Sequence, residues 1–239
     1  MVTAFLMGGL GNQMFQIAVA HSIALDNNDE AVFDFTKCHT PHQGNTSDRY
    51  ENNLFKLVKS KIDIKYQHLF EEAEINVYKQ IPYNYGLMIR GYFQNIKYFK
   101  HHQKQIQDLF YIDQNNIFFI KDKFKNFTDF SNTTSVHVRR GDYLKFPDVH
   151  PLCSKEYYAN AMNTLIDQKF IFVSDDIEWV KQNFKGSNIT YSDLNDEVLD
   201  LTLMTMCSNN IIANSSFSWW GAFLNRNKNK QVLSPPCWI

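Results

Sequence analysis

The sequence has little of several features that would assign it to particular classes of protein. Its four cysteines are widely separated and form no C-x-x-C pair, which argues against a structural zinc site or a disulfide-rich fold. The formal net charge is -1 with no block of basic residues, so nucleic acid is not an expected partner. No apolar run approaches the roughly 18 residues that a membrane span needs, and the first residues lack the charged region of an export signal. We therefore expect reduced thiols and a cytoplasmic protein.

The start of the chain predicts a strand, a glycine loop and a helix. Val2–Met7 is apolar, Gly8–Gln13 follows as a tight loop, and apolar residues then recur at helical spacing. A further strand at 31–35 completes a β-α-β unit, which indicates a parallel sheet. The loop is either a packing turn or a place where backbone N–H groups meet an anion or a sugar hydroxyl. Gly9 and Gly11 lack the third glycine of a dinucleotide fingerprint, so no nucleotide cofactor is predicted from them.

From residue 133 onward the pattern is strand then helix, repeated about four times, which predicts a doubly wound α/β domain. The stretch 115–132, which alternates apolar residues with Lys, Asp and Asn, is the expected junction, so we divide the chain into domains 1–130 and 131–239. The second of these carries three polar loops, each at the carboxyl end of a predicted strand. Because such ends lie at one edge of a parallel sheet, the loops can meet on a single nucleoside diphosphate.

The first of these loops is Arg139-Arg140-Gly141-Asp142. Guanidinium groups match phosphate oxygens bidentately, and Gly141 lets the backbone turn closely enough for both arginines to converge on one ligand. The alternative is that Arg139 pairs with Asp142 while Arg140 points to water. No further metal ligands accompany the arginines, so we expect phosphates to be neutralised by guanidinium and helix dipole instead of Mg²⁺.

The other two loops have structural and binding interpretations that both stay open. Asp175 and Asp176 either cap the following helix or accept hydrogen bonds from a purine edge or ribose hydroxyl. Ser215 and Ser216 open a helix, where they form either an anion site or a simple N-cap.

A metal site is predicted nowhere in the chain. The adjacent residues His101 and His102 fall in a segment, 96–110, whose period predicts a helix. Adjacent residues on a helix do not face one another, so we do not expect these imidazoles to share an ion.

Five motifs spread over nearly the whole chain together resemble the bacterial α-1,2-fucosyltransferases. They are Gly8-Gly9-Leu10-Gly11-Asn12-Gln13-Met14-Phe15-Gln16, Gly91-Tyr92-Phe93-Gln94, His137-Val138-Arg139-Arg140-Gly141-Asp142-Tyr143, Phe172-Val173-Ser174-Asp175-Asp176 and Ile212-Ala213-Asn214-Ser215-Ser216-Phe217-Ser218-Trp219-Trp220-Gly221. The resemblance implies an α/β fold of GT-B type, with two Rossmann-like parallel-sheet domains and a cleft between them. It also implies GDP-fucose as donor, inversion at the anomeric carbon, and no metal or other cofactor.

The resemblance also implies roles for individual residues. Arg139 would bind the donor's β-phosphate, and Arg140 would support the loop or bind the second phosphate. His137 and one of Asp175 or Asp176 would face the guanine and ribose, and Ser215, Ser216 and Phe217 would line the phosphate side. Across the cleft, the first domain would contribute Gly9, Gly11, Asn12 and Gln13. Asp142 would hold an arginine in register or act as a general base.

The implied reaction moves fucose from GDP-β-L-fucose to the 2-hydroxyl of a terminal galactose. The acceptor would be a galactose-terminated glycan, and a lipid-linked acceptor would bring the enzyme to the membrane periphery. Two departures keep alternatives open: Cys207-Ser208-Asn209-Asn210 lacks a histidine usual in the family, and the end at Ile239 predicts a reduced C-terminal segment. A nucleotide-sugar-binding protein or remnant without turnover is one alternative, and a phosphate-ester hydrolase is another.

Overall fold

The computed structural model of the chain describes residues 1–40, 44–75, 77–125, 130–165 and 168–236. The chain forms two compact units, Met1–Asp113 and Gln114–Ile239. This division differs from the predicted boundary near residue 130. The reason is helix α3 (Gln114–Lys123), because Ile120 and the following Phe124 belong to an apolar cluster of the second unit. Among the described residues, no helix is long and apolar enough to cross a membrane.

The first unit contains a parallel sheet with strand order β1-β3-β2. Its elements are β1 (Val2–Ala4), α1 (Leu10–Asp26), β2 (His68–Glu71), β3 (Leu87–Arg90) and α2 (Gln103–Leu109). The strand predicted at 31–35 is reduced to isolated parallel bridges at Ala31 and Phe33. It ends there because Asp34 caps a 3-10 turn, Phe35–Lys37, by accepting the N–H of Thr36.

The helix predicted over 96–110 is shorter than its apolar spacing indicates. Two 3-10 turns, Ile96–Tyr98 and Lys100–His102, come before α2. Between them Phe99 has φ -140° and ψ 9°, which is not a helical conformation, and its side chain is fully buried. Burial of this aromatic ring therefore overrides the local helical period.

The second unit is a five-stranded, all-parallel sheet in the order β6-β5-β4-β7-β8. The strands are β4 (Thr133–Val138), β5 (Lys169–Ser174), β6 (Ile189–Tyr191), β7 (Asn209–Ile211) and β8 (Val232–Leu233). The helices between them are α4 (Lys155–Thr164), α5 (Ile177–Asn183), α6 (Glu197–Met206) and α7 (Ser216–Leu224). Every predicted strand of this unit is present, and β6 is additional.

Helices cover both faces of this sheet, so its central strand β4 is buried along its whole length. On one face Val136 and Val138 pack with residues of α4 and α5, and on the other Ile171 and Val173 of β5 pack with residues of α3 and α6. Burial on both sides explains why these strands are nearly continuous apolar runs instead of alternating ones.

The order of the strands reverses between β4 and β7. The chain runs outward from β4 through β5 to β6, then returns to lay β7 and β8 on the other side of β4. In open α/β sheets such a reversal leaves a crevice at the carboxyl ends of the two strands, and ligands bind there. Arg139 follows β4 and the serine-rich segment follows β7, so both occupy this edge.

We predict that Gly221→Ala destabilises the second unit by about 1 to 3 kcal/mol, because the added methyl overpacks the contact between α6 and α7. A Cβ at Gly221 would lie 2.7 Å from Met204 Cε and 2.9 Å from Met204 Cβ. Urea unfolding of the variant measures the cost. In a Met204→Ala background the same change should cost less, since the terminal atoms of Met204 are gone. Simple addition of the two costs would contradict this packing account.

Candidate active site

Arg139 follows β4 and is shared between two carboxylates. Its Nη2 lies 2.6 Å from Asp142 Oδ1, and its Nη1 lies 3.1 Å from Asp175 Oδ2. The side chain is 28% exposed, and its guanidinium carbon lies 5.5 Å from the centre of the Tyr143 ring. Because a guanidinium carries five N–H donors, the two ion pairs leave donors for a ligand. Arg139 is therefore held in position and can still bind an anion.

Arg140 is fastened more completely and does not point to water. Its Nε donates to Asp176 Oδ2 at 3.0 Å, and its backbone N–H donates to Asp175 Oδ1 at 2.9 Å. The guanidinium carbon lies 3.9 Å from the centre of the Trp179 ring, a cation–π stack. These contacts join the loop after β4 to the start of α5, which corresponds to a loop-supporting role.

Gly141 allows the close approach of the two acidic loops. A Cβ at this position would lie 2.7 Å from Asp175 Oδ2, so a larger residue would push the carboxylate away from Arg139. Next to it, Asp176 Oδ1 accepts the backbone N–H of Trp179 at 3.2 Å and caps α5. Both aspartates therefore support the arginines, and Asp176 also has the capping role that was one of its two interpretations.

Asp142 is close to Arg139 but poorly aligned with it. Although the nitrogen–oxygen distance is short, neither carboxylate oxygen makes a hydrogen bond of acceptable angle within the described part of the chain. The side chain is 15% exposed. The pair is thus an ion pair without directional bonding, and the carboxylate keeps unused acceptor capacity.

The loop after β7 is joined to the loop after β4. Tyr143 Oη donates to the backbone oxygen of Asn214 at 2.8 Å, and Asn214 Nδ2 donates to the backbone oxygen of Pro151 at 2.7 Å. Ser215 then stands at the N-cap of α7, but its side chain makes no capping hydrogen bond. The first N–H groups of a helix have no partner within the helix, so this helix start can accept an anion.

His137 lies buried on β4 beside Phe217 of α7. The two ring centres are 5.4 Å apart, and within the described residues His137 Nδ1 has no hydrogen-bond partner. Burial, and then the charge of Arg139, lower the pKa of His137 from 6.5 to about 3. The imidazole is therefore neutral at physiological pH and keeps one ring nitrogen for a further hydrogen bond.

The glycine loop of the first unit is held by glutamine side chains. Gly8 has φ +76°, and Gly9 stands at the N-cap of α1. Gln13 is fully buried: its Nε2 donates to the backbone oxygens of Gly8 at 2.9 Å and Asn45 at 2.8 Å, and its Oε1 accepts from Ser47 Oγ at 2.9 Å. The structure thus differs from the prediction for Gln13, because all its polar atoms are used to support the loop.

The other predicted residues of this loop are placed differently. Gly11 is buried in the first turn of α1, whereas Gly9 and Asn12 are half-buried. Asn12 Oδ1 accepts from Gln94 Nε2 at 2.7 Å, which joins two of the five motifs. Gly9 and Asn12 are therefore the members of this loop that can reach a ligand.

Comparison with known proteins decides the family. The model of glycosyl transferase family 11 matches residues 1–237. The chain belongs to this family. It is 29% identical to an α-1,2-colitosyltransferase of Escherichia coli, over 100% of this chain and 92% of that protein. It is 30% identical to the O-antigen biosynthesis glycosyltransferase WbnK of Escherichia coli, over 98% and 93%. A galactoside 2-α-L-fucosyltransferase of Caenorhabditis elegans is 24% identical over 96% of this chain and 70% of its own length.

Solved structures confirm the fold class of this family 11 glycosyltransferase. The fucosyltransferase NodZ from Bradyrhizobium superposes with a TM-score of 0.58 at 11% identity, covering 92% of this chain and 91% of NodZ. POFUT1 in complex with GDP-fucose gives 0.56 at 12% identity, covering 98% and 96%. The predicted α/β fold of GT-B type, with two parallel-sheet domains, is therefore confirmed, and so is the resemblance at the level of the family.

Sequence reasoning missed two residues that support the motifs of this family 11 chain. Trp179 stacks on Arg140, and only its position one turn into α5 could have indicated this. Glu72 accepts the backbone N–H groups of Tyr92 at 2.7 Å and Phe93 at 3.1 Å, where Phe93 has φ +50°. Glu72 lies within the segment 50–74, whose mixed apolar and lysine-rich spacing predicts no more than two short elements, so no local signal pointed to it.

After Cys207, where the family usually has a histidine, this family 11 chain has a buried network of side-chain amides. Asn210 Nδ2 donates to Ser135 Oγ at 2.7 Å and to the backbone oxygen of Met204 at 2.9 Å, while its Oδ1 accepts from Asn225 Nδ2 at 2.9 Å. The amide is fully buried and bonded through both its oxygen and its nitrogen, so it ties β7 to β4, α6 and α7. Asn210 is therefore a structural residue.

We predict that Gln13→Ala lowers the free energy of unfolding by about 2 to 4 kcal/mol, because it leaves buried polar groups without partners. Chemical denaturation measures the change. The exposed Gln105 of α2 supplies the matched control, for which Gln105→Ala should change stability by no more than about 0.5 kcal/mol. If Gln13 instead contacts substrate, its variant would lose activity at unchanged stability.

We predict that His137→Gln reduces the pH dependence of stability below neutral pH. Between the unfolded pKa of 6.5 and the folded pKa of about 3, the unfolded chain binds more protons, so stability rises with pH in this window. Removing the imidazole should reduce that slope by about 1.4 kcal/mol per pH unit. Urea unfolding at several pH values tests this, with the exposed His68→Gln as control. An unchanged slope in His137→Gln would show that the imidazole is not buried and neutral.

Proposed function

We propose that this family 11 glycosyltransferase moves fucose from GDP-β-L-fucose to the 2-hydroxyl of a terminal galactose, with inversion. The observation that carries the proposal is the position of Arg139, held by two carboxylates at the switch point of the second sheet beside the start of α7. A relative named as a galactoside 2-α-L-fucosyltransferase supports the acceptor, and the GDP-fucose bound to a protein of the same fold supports the donor.

The pyrophosphate would bind between Arg139 and the Ser215-Ser216 start of α7. Arg139 needs no large rearrangement, because its ion pairs already fix the guanidinium while leaving donors unused. The helix start adds backbone N–H groups and the positive end of a dipole. Arg140, tied to Asp176 and Trp179, would hold this loop in shape.

The nucleoside would lie against His137, which offers a neutral imidazole with an unused ring nitrogen. Phe217, whose ring centre is 5.4 Å from that of His137, would line the phosphate side with Ser215 and Ser216. One of Asp175 or Asp176 would accept from the guanine or ribose, since an ionised carboxylate has about four lone-pair sites and the arginines use only part of them. In the first unit, Gly9 and Asn12 would serve the acceptor side.

Inversion requires a single in-line displacement. The galactose 2-oxygen forms a bond to the anomeric carbon while the bond to the β-phosphate oxygen breaks, and GDP leaves with the electron pair. The hydroxyl proton passes to a base or to water. Diphosphate is already a good leaving group, so stabilisation of its growing charge by Arg139 and α7 should contribute more than the roughly 10² to 10⁴ that proton removal supplies.

Transfer would require no metal or other cofactor, because the guanidinium and the helix start supply the positive charge. Asp142 would act mainly by keeping Arg139 in place, which fits the short distance between the two groups. We also propose a cytoplasmic location, with peripheral membrane association through a lipid-linked acceptor.

The second candidate for the donor is a nucleotide sugar that carries colitose instead of fucose, because an α-1,2-colitosyltransferase is 29% identical over the whole chain. The same pyrophosphate site would serve both donors, so the choice depends on contacts with the sugar.

Incubation of the purified chain with GDP-fucose and lactose, followed by chromatography, should yield a fucosylated galactoside, with equal yield in the presence of EDTA. GDP-colitose in place of GDP-fucose tests the second donor. Free fucose with no transfer product would indicate a hydrolase. Tight GDP-fucose binding without any product, over a panel of galactose-terminated acceptors, would indicate a nucleotide-sugar-binding protein and contradict the proposal.

Arg139→Ala should weaken GDP binding by about 2 to 3 kcal/mol and lower kcat more than Asp142→Asn or His137→Gln does. Calorimetry with GDP and initial rates measure both effects, and Arg226→Ala, an exposed arginine of the same unit, is the control. Undiminished GDP affinity in Arg139→Ala would remove Arg139 from the donor site. Loss of turnover in Asp142→Asn with normal GDP affinity would show that base catalysis dominates.

A further inference from the structure

The end of α1 and the turn before α2 bring a carboxylate and two imidazoles together. Asp26 Oδ1 lies 3.0 Å from His101 Nε2 and 2.8 Å from His102 Nε2. One ligand atom from each of the three residues lies within 4.8 Å of the other two. This cluster belongs to the first unit and has no part in the proposed donor site.

The two histidines converge because they do not lie on a regular helix. They end the 3-10 turn Lys100–His102, and His102 has φ -108° and ψ 25°. As a result the ring centres are only 4.4 Å apart. The expectation that adjacent imidazoles diverge assumed a continuous helix over 96–110. That helix does not form.

We propose that Asp26, His101 and His102 form a binding site for a divalent transition-metal ion of the Zn²⁺ type, with water in the remaining position. Zinc binds imidazole nitrogen and carboxylate oxygen at about 2.0 to 2.2 Å, which places tetrahedral ligand atoms roughly 3.3 Å apart. The two ligand contacts made by Asp26 Oδ1 differ from that value by only a few tenths of an ångström. The ligand atoms are therefore already close together, and an ion that binds here would displace the protons now shared between Asp26 and the two imidazoles.

The charge of the surroundings also favours a cation. Asp26 is the last residue of α1, where the negative end of the helix dipole disfavours a carboxylate and favours a positive ion. The Asp26 carboxylate lies within 3.0 Å of both imidazoles and supplies a negative charge beside the proposed position of the ion.

The three side chains are exposed enough for an ion to reach them, and a bound ion would join two parts of the first unit. The side chains of His101 and Asp26 are 50% and 45% exposed, so an ion can enter from solvent. The side chain of His102 is only 19% exposed. The site joins residues 75 positions apart in the sequence. Bound metal would therefore cross-link the end of α1 to the segment before α2 and stabilise the first unit.

Titration of the tag-free, EDTA-stripped full-length chain with ZnCl₂ tests the proposal. We expect saturable binding of one ion per chain and a rise in Tm. Asp26→Asn and His102→Gln should each weaken binding roughly tenfold or more and abolish the rise in Tm. His68→Gln, an exposed histidine of β2, should bind as the unaltered chain does. X-ray absorption should show nitrogen and oxygen scatterers without sulfur at about 2.3 Å, which excludes the thiols.

Matching Tm values of all variants in EDTA would establish that the substitutions leave the fold unchanged. Absence of saturable zinc binding by the unaltered chain would overturn the proposal. Equal binding by Asp26→Asn, His102→Gln and the unaltered chain would also overturn it, as would a sulfur ligand in the absorption spectrum.

Discussion

The candidate site of the second unit depends on one electrostatic arrangement, in which two guanidinium groups are held by three carboxylates at neighbouring strand ends. Arg139 is shared between Asp142 and Asp175, and Arg140 is bonded to Asp176 and stacked on Trp179. Without these partners two adjacent cations at a strand end would repel each other. With them, the loop has a fixed shape before any anion binds, so a ligand need not supply the ordering energy.

The architecture of the second unit could be predicted because its local signals agree with one another. The repeated strand-then-helix pattern from residue 133 onward specifies one doubly wound sheet, and β4 and β5 form as inner strands of that sheet. The gathering of the polar loops at one sheet edge followed from the geometry of parallel strands.

Several features could not be predicted, for identifiable physical reasons. The boundary between units depends on α3, where Phe118 and Phe119 are exposed and Ile120 is buried, so the apolar run alone does not show which residue makes the long-range contact. The convergence of His101 and His102 depends on a non-helical residue, Phe99, that is buried by tertiary packing. The Trp179 stack joins residues far apart in sequence. In each case a long-range contact overrides or supplements the local pattern.

The buried amide of Asn210 has a consequence for strand register. In an all-parallel sheet buried on both faces, apolar side chains point to both sides, so hydrophobic alternation does little to fix how far one strand slides along the next. The bond of Asn210 to Ser135 joins β7 to β4 in the register that pairs Val136 with Ile211, and a slip of either strand would break this buried bond. Because the arginine loop and the serine loop follow these two strands, a buried amide in the middle of β7 helps to set how the two loops are placed along the sheet edge.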